Sequence, residues 1–216
     1  MLQILRTFFL AALLAAFTAV PVFAGLLNGH GSSIVGFTGT TSFSDVSGPD
    51  VLSGTVDYAV FAPGDFPFGG YTPTPGQLTY AYQIIMNDPD NTESLSELAV
   101  FLNGDANNLS IFLLEAGDVP PSSFSFSTLL PTATAGDTAN WFFESPGLDS
   151  GDMSYGLVYS SPNIPEYFAG NVVNGGLAAL VIPLPVPSPI AIPEPSTVTM
   201  LGLGALALVL FRRRIV

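Results

Sequence analysis

The sequence predicts an all-β fold, namely an antiparallel β-sandwich with a jelly-roll-like arrangement of strands. Apolar and polar residues alternate over short segments, which is the pattern of a strand with one buried face. The chain also contains 22 glycines and 19 prolines, and both residue types favour turns. No long amphipathic pattern of helical period lies between the two ends of the chain. Many short strands separated by such turns are typical of sandwiches and jelly rolls.

Nine segments carry the strand pattern. In residues 53–62, Val56, Tyr58 and Val60 alternate with more polar or smaller residues. In residues 77–87 the large apolar side chains share one face of the predicted strand: Leu78, Tyr80, Tyr82, Ile84 and Met86. The other seven segments are 33–44, 95–103, 109–117, 122–130, 139–145, 153–161 and 176–184. Glycine- and proline-rich turn clusters separate many of these segments.

The charge distribution excludes several classes of function. Arg6 and the triplet Arg212 to Arg214 are the four basic residues, while sixteen of the seventeen acidic residues lie within residues 25–192. A domain without lysine or arginine cannot neutralise phosphates, so nucleic-acid binding is not expected. The chain has no cysteine, which excludes disulfides, thiolate metal sites and a cysteine nucleophile. The simplest interpretation of the acidic residues is a solvated surface.

Residues 1–24 have the pattern of a secretory signal helix. Arg6 precedes an apolar stretch over residues 7–20, and a small residue at position 24 comes after it. This order of basic, apolar and small residues is typical of a segment that is exported and removed. We predict cleavage between Ala24 and Gly25, with the Sec machinery and signal peptidase as partners. An uncleaved anchor is the alternative.

The C-terminal residues 193–216 combine three features in a fixed order. Pro193, Glu194 and Pro195 are followed by an apolar segment at 198–211 and then by Arg212, Arg213 and Arg214. A helix over this segment would reach about 22 Å, somewhat less than a hydrocarbon core of about 30 Å. The arginines would stay on the cytoplasmic side of the inner membrane. This tail resembles the PEP-CTERM sorting signal, and a coincidental tail anchor is the alternative.

The resemblance implies a route and several partners. It implies recognition by exosortase at the Pro-Glu-Pro motif, anchoring by the C-terminal transmembrane helix, and release into the cell envelope or the extracellular matrix after processing. It also implies that the protein comes from a bacterium that makes exopolysaccharide, and this polysaccharide is a further candidate partner. The expected organisation is a signal peptide at 1–24, an ectodomain at 25–182, a proline-rich stalk at 183–192 and a sorting tail at 193–216.

Few residues indicate catalysis, and no enzyme activity is predicted. His30 is the sole histidine, so a zinc site is not expected, and a triad would have to use a residue close to the cleavage site. Asp149, Ser150 and Gly151 resemble half of an aspartic protease site, but no second copy is present. A turn is therefore the preferred interpretation of this tripeptide.

Calcium is the most plausible ligand suggested by the sequence. Residues 87–93 offer oxygen donors, and a second turn adds one more; the donors are Asp88, Asp90, Asn91, Glu93 and Asp105. A polar turn without an ion is the alternative. Trp141 and Phe143 share one face of a predicted strand and are expected to anchor the core, whereas a sugar-stacking role for Trp141 is the alternative.

These observations favour a non-catalytic protein of structural or adhesive type that is displayed in the envelope or matrix. The first alternative is a calcium- or carbohydrate-binding module that acts within exopolysaccharide. The second is a secreted hydrolase that would use a pair of the acidic residues, although no particular pair is marked in the sequence. No cofactor other than calcium is suggested.

Overall fold

The described part of the chain is all-β, as the sequence predicts. The computed structural model describes residues 27, 33–47, 49–128, 132–144, 147–174 and 178–191, and these form eleven strands in two sheets. All pairs of neighbouring strands are antiparallel. In the described ranges no helix is long and apolar enough to cross a membrane. The predicted signal helix and transmembrane helix lie outside those ranges.

The strands alternate between the two sheets from β3 to β10. They are β1 Ser33–Ser47, β2 Asp50–Phe61, β3 Leu78–Ile85, β4 Leu95–Phe101, β5 Ala106–Phe112, β6 Ser123–Phe126, β7 Thr132–Ala133, β8 Thr138–Phe142, β9 Gly156–Ser161, β10 Asn163–Asn174 and β11 Ala178–Ala191. Sheet A has the order β1-β2-β3-β9-β5-β7, and sheet B has the order β11-β10-β4-β8-β6. Consecutive strands therefore build both sheets at once.

The main core lies between the two sheets, and the predicted face of β3 points into it. The five apolar side chains expected on one face of residues 77–87 all belong to this core, as do Val56, Tyr58 and Val60 of β2. Sheet B contributes Leu98, Trp141 and other buried residues. The period-two pattern thus predicted correctly which side of these strands is internal.

The opposite face of sheet A is also covered, which the alternation in the sequence does not show. Residues 62–77 connect β2 to β3, and Phe66, Phe68 and Tyr71 of this loop pack over Phe61 and Phe112. Tyr71 shares a hydrogen bond of 2.7 Å with the buried Ser160 hydroxyl. Burial raises the pKa of Tyr71 to about 12. The loop forms a second small apolar cluster rather than a plain turn.

Strand β10 is the main element that the sequence pattern does not predict. It pairs with both β4 and β11 and so connects the edge of sheet B to its centre. Pro165 and Gly170 interrupt its alternation, and both residue types are unusual within strands. At Gly170 an added Cβ would lie 2.6 Å from Cδ1 of Leu184, so a larger residue there would require the Leu184 side chain to shift. The two-residue strand β7 is not predicted either.

The prediction of a proline-rich stalk at 183–192 is wrong for the residues that the structure describes. Residues 183–191 belong to β11, the edge strand of sheet B, and pair with β10. Its prolines occupy every second position: Pro183, Pro185, Pro187 and Pro189. Successive residues of an antiparallel strand direct their N–H groups to opposite sides. The missing N–H groups of Pro183, Pro185 and Pro187 therefore lie on the free side of an edge strand, where proline is tolerated. Pro189 lies in the irregular stretch between the pairs Pro165–Pro187 and Asn163–Ala191.

Candidate functional site

The last described residue of the chain is Ala191, which ends β11. Ala191 is still paired with Asn163 of β10, so the sheet continues to within two residues of Pro193. Three apolar side chains earlier in β11 are buried in the main core, namely those of Ile182, Leu184 and Val186. We call this end of the sandwich the exit end. The proline-rich segment thus holds the exit close to the domain.

Hydrogen bonds and one close backbone contact fix the exit strand. The hydroxyl of Tyr82 in sheet A donates to the carbonyl oxygen of Pro185 at 2.5 Å, on the free side of β11. The hydroxyl of Tyr80 donates to the carbonyl oxygen of Asn163 at 2.9 Å. Gly104, in the turn between β4 and β5, lies so near Ser188 that a Cβ would be 2.0 Å from the Ser188 carbonyl oxygen. Sheet A and the β4–β5 turn therefore both hold β11 in place.

A comparison with protein-family models identifies the segment that begins at the end of the exit strand. Residues 191–214 match the model described as the PEP-CTERM protein-sorting motif. The chain carries a PEP-CTERM motif. The match begins at Ala191, so the last paired residue of the domain is the first residue of the motif. No curated protein and no solved structure matches the chain.

The PEP-CTERM motif indicates an exported protein that is membrane-associated before processing, with exosortase as its processing partner. The individual residues predicted for this route lie outside the described residues. They are Ala24 and Gly25 at the signal cleavage site, Pro193, Glu194 and Pro195 in the motif, and Arg212, Arg213 and Arg214 after the apolar segment. His30 also lies outside the described residues.

The end of the sandwich opposite the exit is strongly acidic, and we call it the acidic end. Hydrogen bonds join its loops: Thr92 N–H donates to Val51 carbonyl oxygen, Ser150 hydroxyl to Asp88 carbonyl oxygen, and Val119 N–H to Met153 carbonyl oxygen. These loops, with the β1–β2 hairpin, carry ten of the sixteen acidic residues of 25–192, namely Asp45, Asp50, Asp88, Asp90, Glu93, Glu115, Asp118, Glu144, Asp149 and Asp152. The fold therefore collects carboxylates that are scattered in the sequence.

The predicted calcium donors do not form one site. The Asp88 carboxylate accepts hydrogen bonds from the Ser53 hydroxyl and the Asp90 N–H, and these bonds lower the pKa of Asp88. The side-chain oxygen of Asn91 accepts from the Ser53 N–H at 2.6 Å. Asp105 lies at the exit end, where its carbonyl oxygen accepts from Ser161, so its inclusion was wrong. In the described ranges no three acidic or histidine residues lie close enough to hold a metal ion.

The tripeptide Asp149 to Gly151 forms a turn, which is the interpretation that the sequence analysis favours over half of an aspartic protease site. The Asp152 N–H donates to the Asp149 carbonyl oxygen at 3.0 Å, and the Asp152 carboxylate in turn accepts from the Asp149 N–H at 2.9 Å. Gly151 has a φ of +90°, a conformation that glycine adopts readily. The Asp149 carboxylate accepts a hydrogen bond from the Ser94 hydroxyl. The tripeptide thus stabilises the loop between β8 and β9.

Trp141 is a core residue, as the sequence predicts, and the alternative of a sugar-stacking role is not supported. Its side chain is fully buried, and Phe143 is buried as well. The indole N–H donates to the Ser110 carbonyl oxygen at 3.1 Å. The ring packs on Tyr159 and Tyr82 of the facing sheet, with centroid distances of 6.4 and 6.1 Å. A ring enclosed in this way is not available to stack on a sugar.

The pKa shifts of three carboxyl groups predict that mild acid stabilises the fold. Burial raises the pKa of Glu97 and of Asp118. Their stabilising contribution is therefore complete at low pH and is lost as pH rises through their folded pKa values. Asp88 has a lowered pKa, so its contribution is present above its ordinary value of 3.8 and is lost as pH falls below it.

We expect the melting temperature in EDTA to rise from pH 8 to about pH 5 and to fall again in stronger acid. Circular dichroism at a series of pH values measures it. Added salt should raise the melting temperature at pH 8, since salt screens repulsion between exposed charges. In Glu97→Gln the rise between pH 8 and 5 should be smaller. A melting temperature that falls steadily from pH 8 to pH 5 would contradict this prediction.

Proposed function

We propose that this protein is a structural or adhesive component of the cell envelope or extracellular matrix, displayed after sorting through its PEP-CTERM tail. One observation carries the proposal: the matched motif begins at the last paired residue of a folded β-sandwich. The cargo of the sorting route is thus the sandwich itself. Its outer loops are acidic, and residues 25–192 contain no lysine or arginine, which suits display in a hydrated matrix better than binding to phosphates.

The position of the acidic end supports display away from the membrane. Strand β11 begins near the acidic end, where Ala178 pairs with Asn174, and it ends at the exit. The β3 strand of eight residues indicates a separation of about 26 Å between the two ends. A chain held at its C-terminal side would therefore present the ten clustered carboxylates to the exterior.

The mass of the mature protein tests the sorting step. In a host with active exosortase, we expect the unaltered chain to lose its arginine-containing tail. A variant with Pro193→Ala, Glu194→Ala and Pro195→Ala should keep the tail and stay in the membrane fraction. Pro183→Ala is the matched control, since this exposed proline of β11 lies outside the motif, and it should be processed normally. Normal processing of the triple variant would refute the proposal.

The display role has its own readout. Surface labelling of intact cells should reach the acidic end of the processed protein. Deletion of residues 25–191 should change the cohesion of the matrix, even though the sorting tail is still present. An unchanged matrix would contradict the structural or adhesive role without affecting the sorting result.

A further inference from the structure

Four exposed apolar or aromatic side chains lie at the exit end of the sandwich. They are Val35, Ile164, Tyr167 and Ile190, with exposed fractions of 96, 39, 48 and 61%. Single exposed apolar residues are normal on protein surfaces, whereas several at one end indicate a contact surface. We call these four residues the exit patch.

Irregularities in two strand pairs lie at the exit end and carry residues of the exit patch. Val35 lies in a bulge of β1, where the register shifts between Ser33 and Thr38. Ile164 lies in a second bulge, between Asn163 and Pro165 of β10, and Ile190 is in the part of β11 that faces it. The Tyr167 hydroxyl donates to the Gly36 carbonyl oxygen at 2.8 Å, which connects the first bulge to β10. Bulges redirect side chains in this manner.

The length of chain beyond the exit places this patch near the membrane. Six residues, 192–197, separate Ala191 from the apolar segment 198–211, and they span at most about 21 Å. Because β11 is part of the sheet, no stalk of residues 183–191 increases that distance. Whatever holds the apolar segment in a bilayer therefore also holds the exit end beside the bilayer surface.

Charge favours the same orientation. Ten acidic residues lie at the acidic end, while four lie near the exit: Asp65, Asp105, Asp137 and Glu166. The Glu166 carboxylate accepts a hydrogen bond from the Asn103 amide at 2.5 Å. With no basic side chain in residues 25–192, attraction to anionic headgroups is absent, and contact has to come from apolar and aromatic groups. Tyrosine is well suited to such an interface.

We propose that the exit patch docks on the surface of a zwitterionic lipid bilayer while the sorting tail is still attached. This inference rests on the proposed function, because the tail has to anchor the chain. Docking would orient the domain with its acidic end outward and hold the Pro-Glu-Pro motif at a constant height above the membrane. Removal of the tail would then release the domain, since a few apolar side chains bind a bilayer only weakly by themselves.

Tryptophan quenching in vesicles tests this docking. The chain 25–216 is reconstituted into phosphatidylcholine vesicles with and without brominated acyl chains. The native Trp141 is fully buried and supplies a constant background. In Ile190→Trp we expect the added emission to shift to the blue and to fall about twofold or more with brominated lipid, as for a side chain inserted at the interface. Val46→Trp is the matched control, because Val46 is 66% exposed at the acidic end, and its emission should not change.

Further variants separate docking from simple tethering. A flexible linker of about eight residues between Ala191 and Ile192 relaxes the tether. We expect quenching of Trp at position 190 to persist with this linker and to disappear when Val35→Ser and Ile164→Ser are added. Loss of quenching with the linker alone would mean that only the tether holds the domain there, and it would overturn the proposal.

Two other results would also overturn it. Absence of quenching in Ile190→Trp, with normal flotation of the protein on vesicles, would show an anchored but undocked domain. A blue shift that grows with protein concentration in detergent without vesicles would identify a second copy of the chain as the partner. Failure of the chain to float with vesicles would instead contradict the anchoring step in the proposed function.

Discussion

Replacement of Trp141 by alanine is expected to lower the free energy of unfolding by about 3–5 kcal/mol. Trp141 is fully buried, and its neighbours on both sides in sheet B are Leu98 and Phe124. Its ring fills the space against Tyr82 and Tyr159 of sheet A. Alanine would leave a cavity between the sheets and would leave the Ser110 carbonyl oxygen without its indole donor. A loss of this size is a large part of the stability of a typical domain.

Urea unfolding followed by circular dichroism measures this loss, because the substitution removes the fluorescent residue. Phe124→Ala is the matched control. Phe124 lies directly opposite Trp141 but on edge strand β6, where it is partly exposed, so we expect a loss of about 1 kcal/mol. Trp141→Phe should fall between the two. Equal losses for Trp141→Ala and Phe124→Ala would show that Trp141 does not hold the two sheets together.

Replacement of Gly104 by alanine is expected to destabilise the domain by about 3 kcal/mol, the upper end of the usual range for overpacking. The added Cβ would lie 2.0 Å from the carbonyl oxygen and 2.8 Å from the carbonyl carbon of Ser188. Backbone atoms cannot rotate away as a flexible side chain can, so either the β4–β5 turn or the end of β11 has to move. We expect the end of β11 to open.

Hydrogen exchange and thermal unfolding test this second prediction together. Exchange should increase in residues 186–191 of Gly104→Ala, beyond any increase in strands β2 and β3. Gly69→Ala is the matched control, since a Cβ at Gly69 would meet no atom within 4 Å, and it should leave stability and exchange nearly unchanged. If Gly104→Ala behaved like Gly69→Ala, the close packing of the turn against the exit strand would be disproved.

The exit strand shows why one part of the fold could not be predicted from the sequence. Prolines at every second position over residues 183–189 suit a polyproline-like stalk and an edge strand equally well, because both are extended. The two differ in whether the other side of the backbone has a partner, and here that partner is β10. Strand β10 is itself obscured by Pro165 and Gly170. The alternation of Ile182, Leu184 and Val186 with these prolines was the signal that could have revealed the strand.

The acidic end illustrates the same limit for a candidate site. The sequence showed that the carboxylates are numerous and lack basic partners, and it marked residues 87–93 as a loop rich in oxygen donors. Strand order decides which loops come together. The loop of Asp88 contacts the loop that contains Ser150, whereas Asp105 is at the other end of the sheets. Spacing along the chain carries no information on contacts between loops that are far apart in sequence.

Local patterns in the sequence by themselves determined the all-β class, the inward face of β3, the buried Trp141 and the PEP-CTERM tail. Each depends on neighbouring residues, either through the two-residue period of a strand or through a contiguous motif. Only the tertiary structure decided that β11 continues through residues 185–191 in the sheet, that ten carboxylates gather at one end and that the exit patch lies at the other. These features depend on strand pairing and sheet order, which arise from contacts between distant segments.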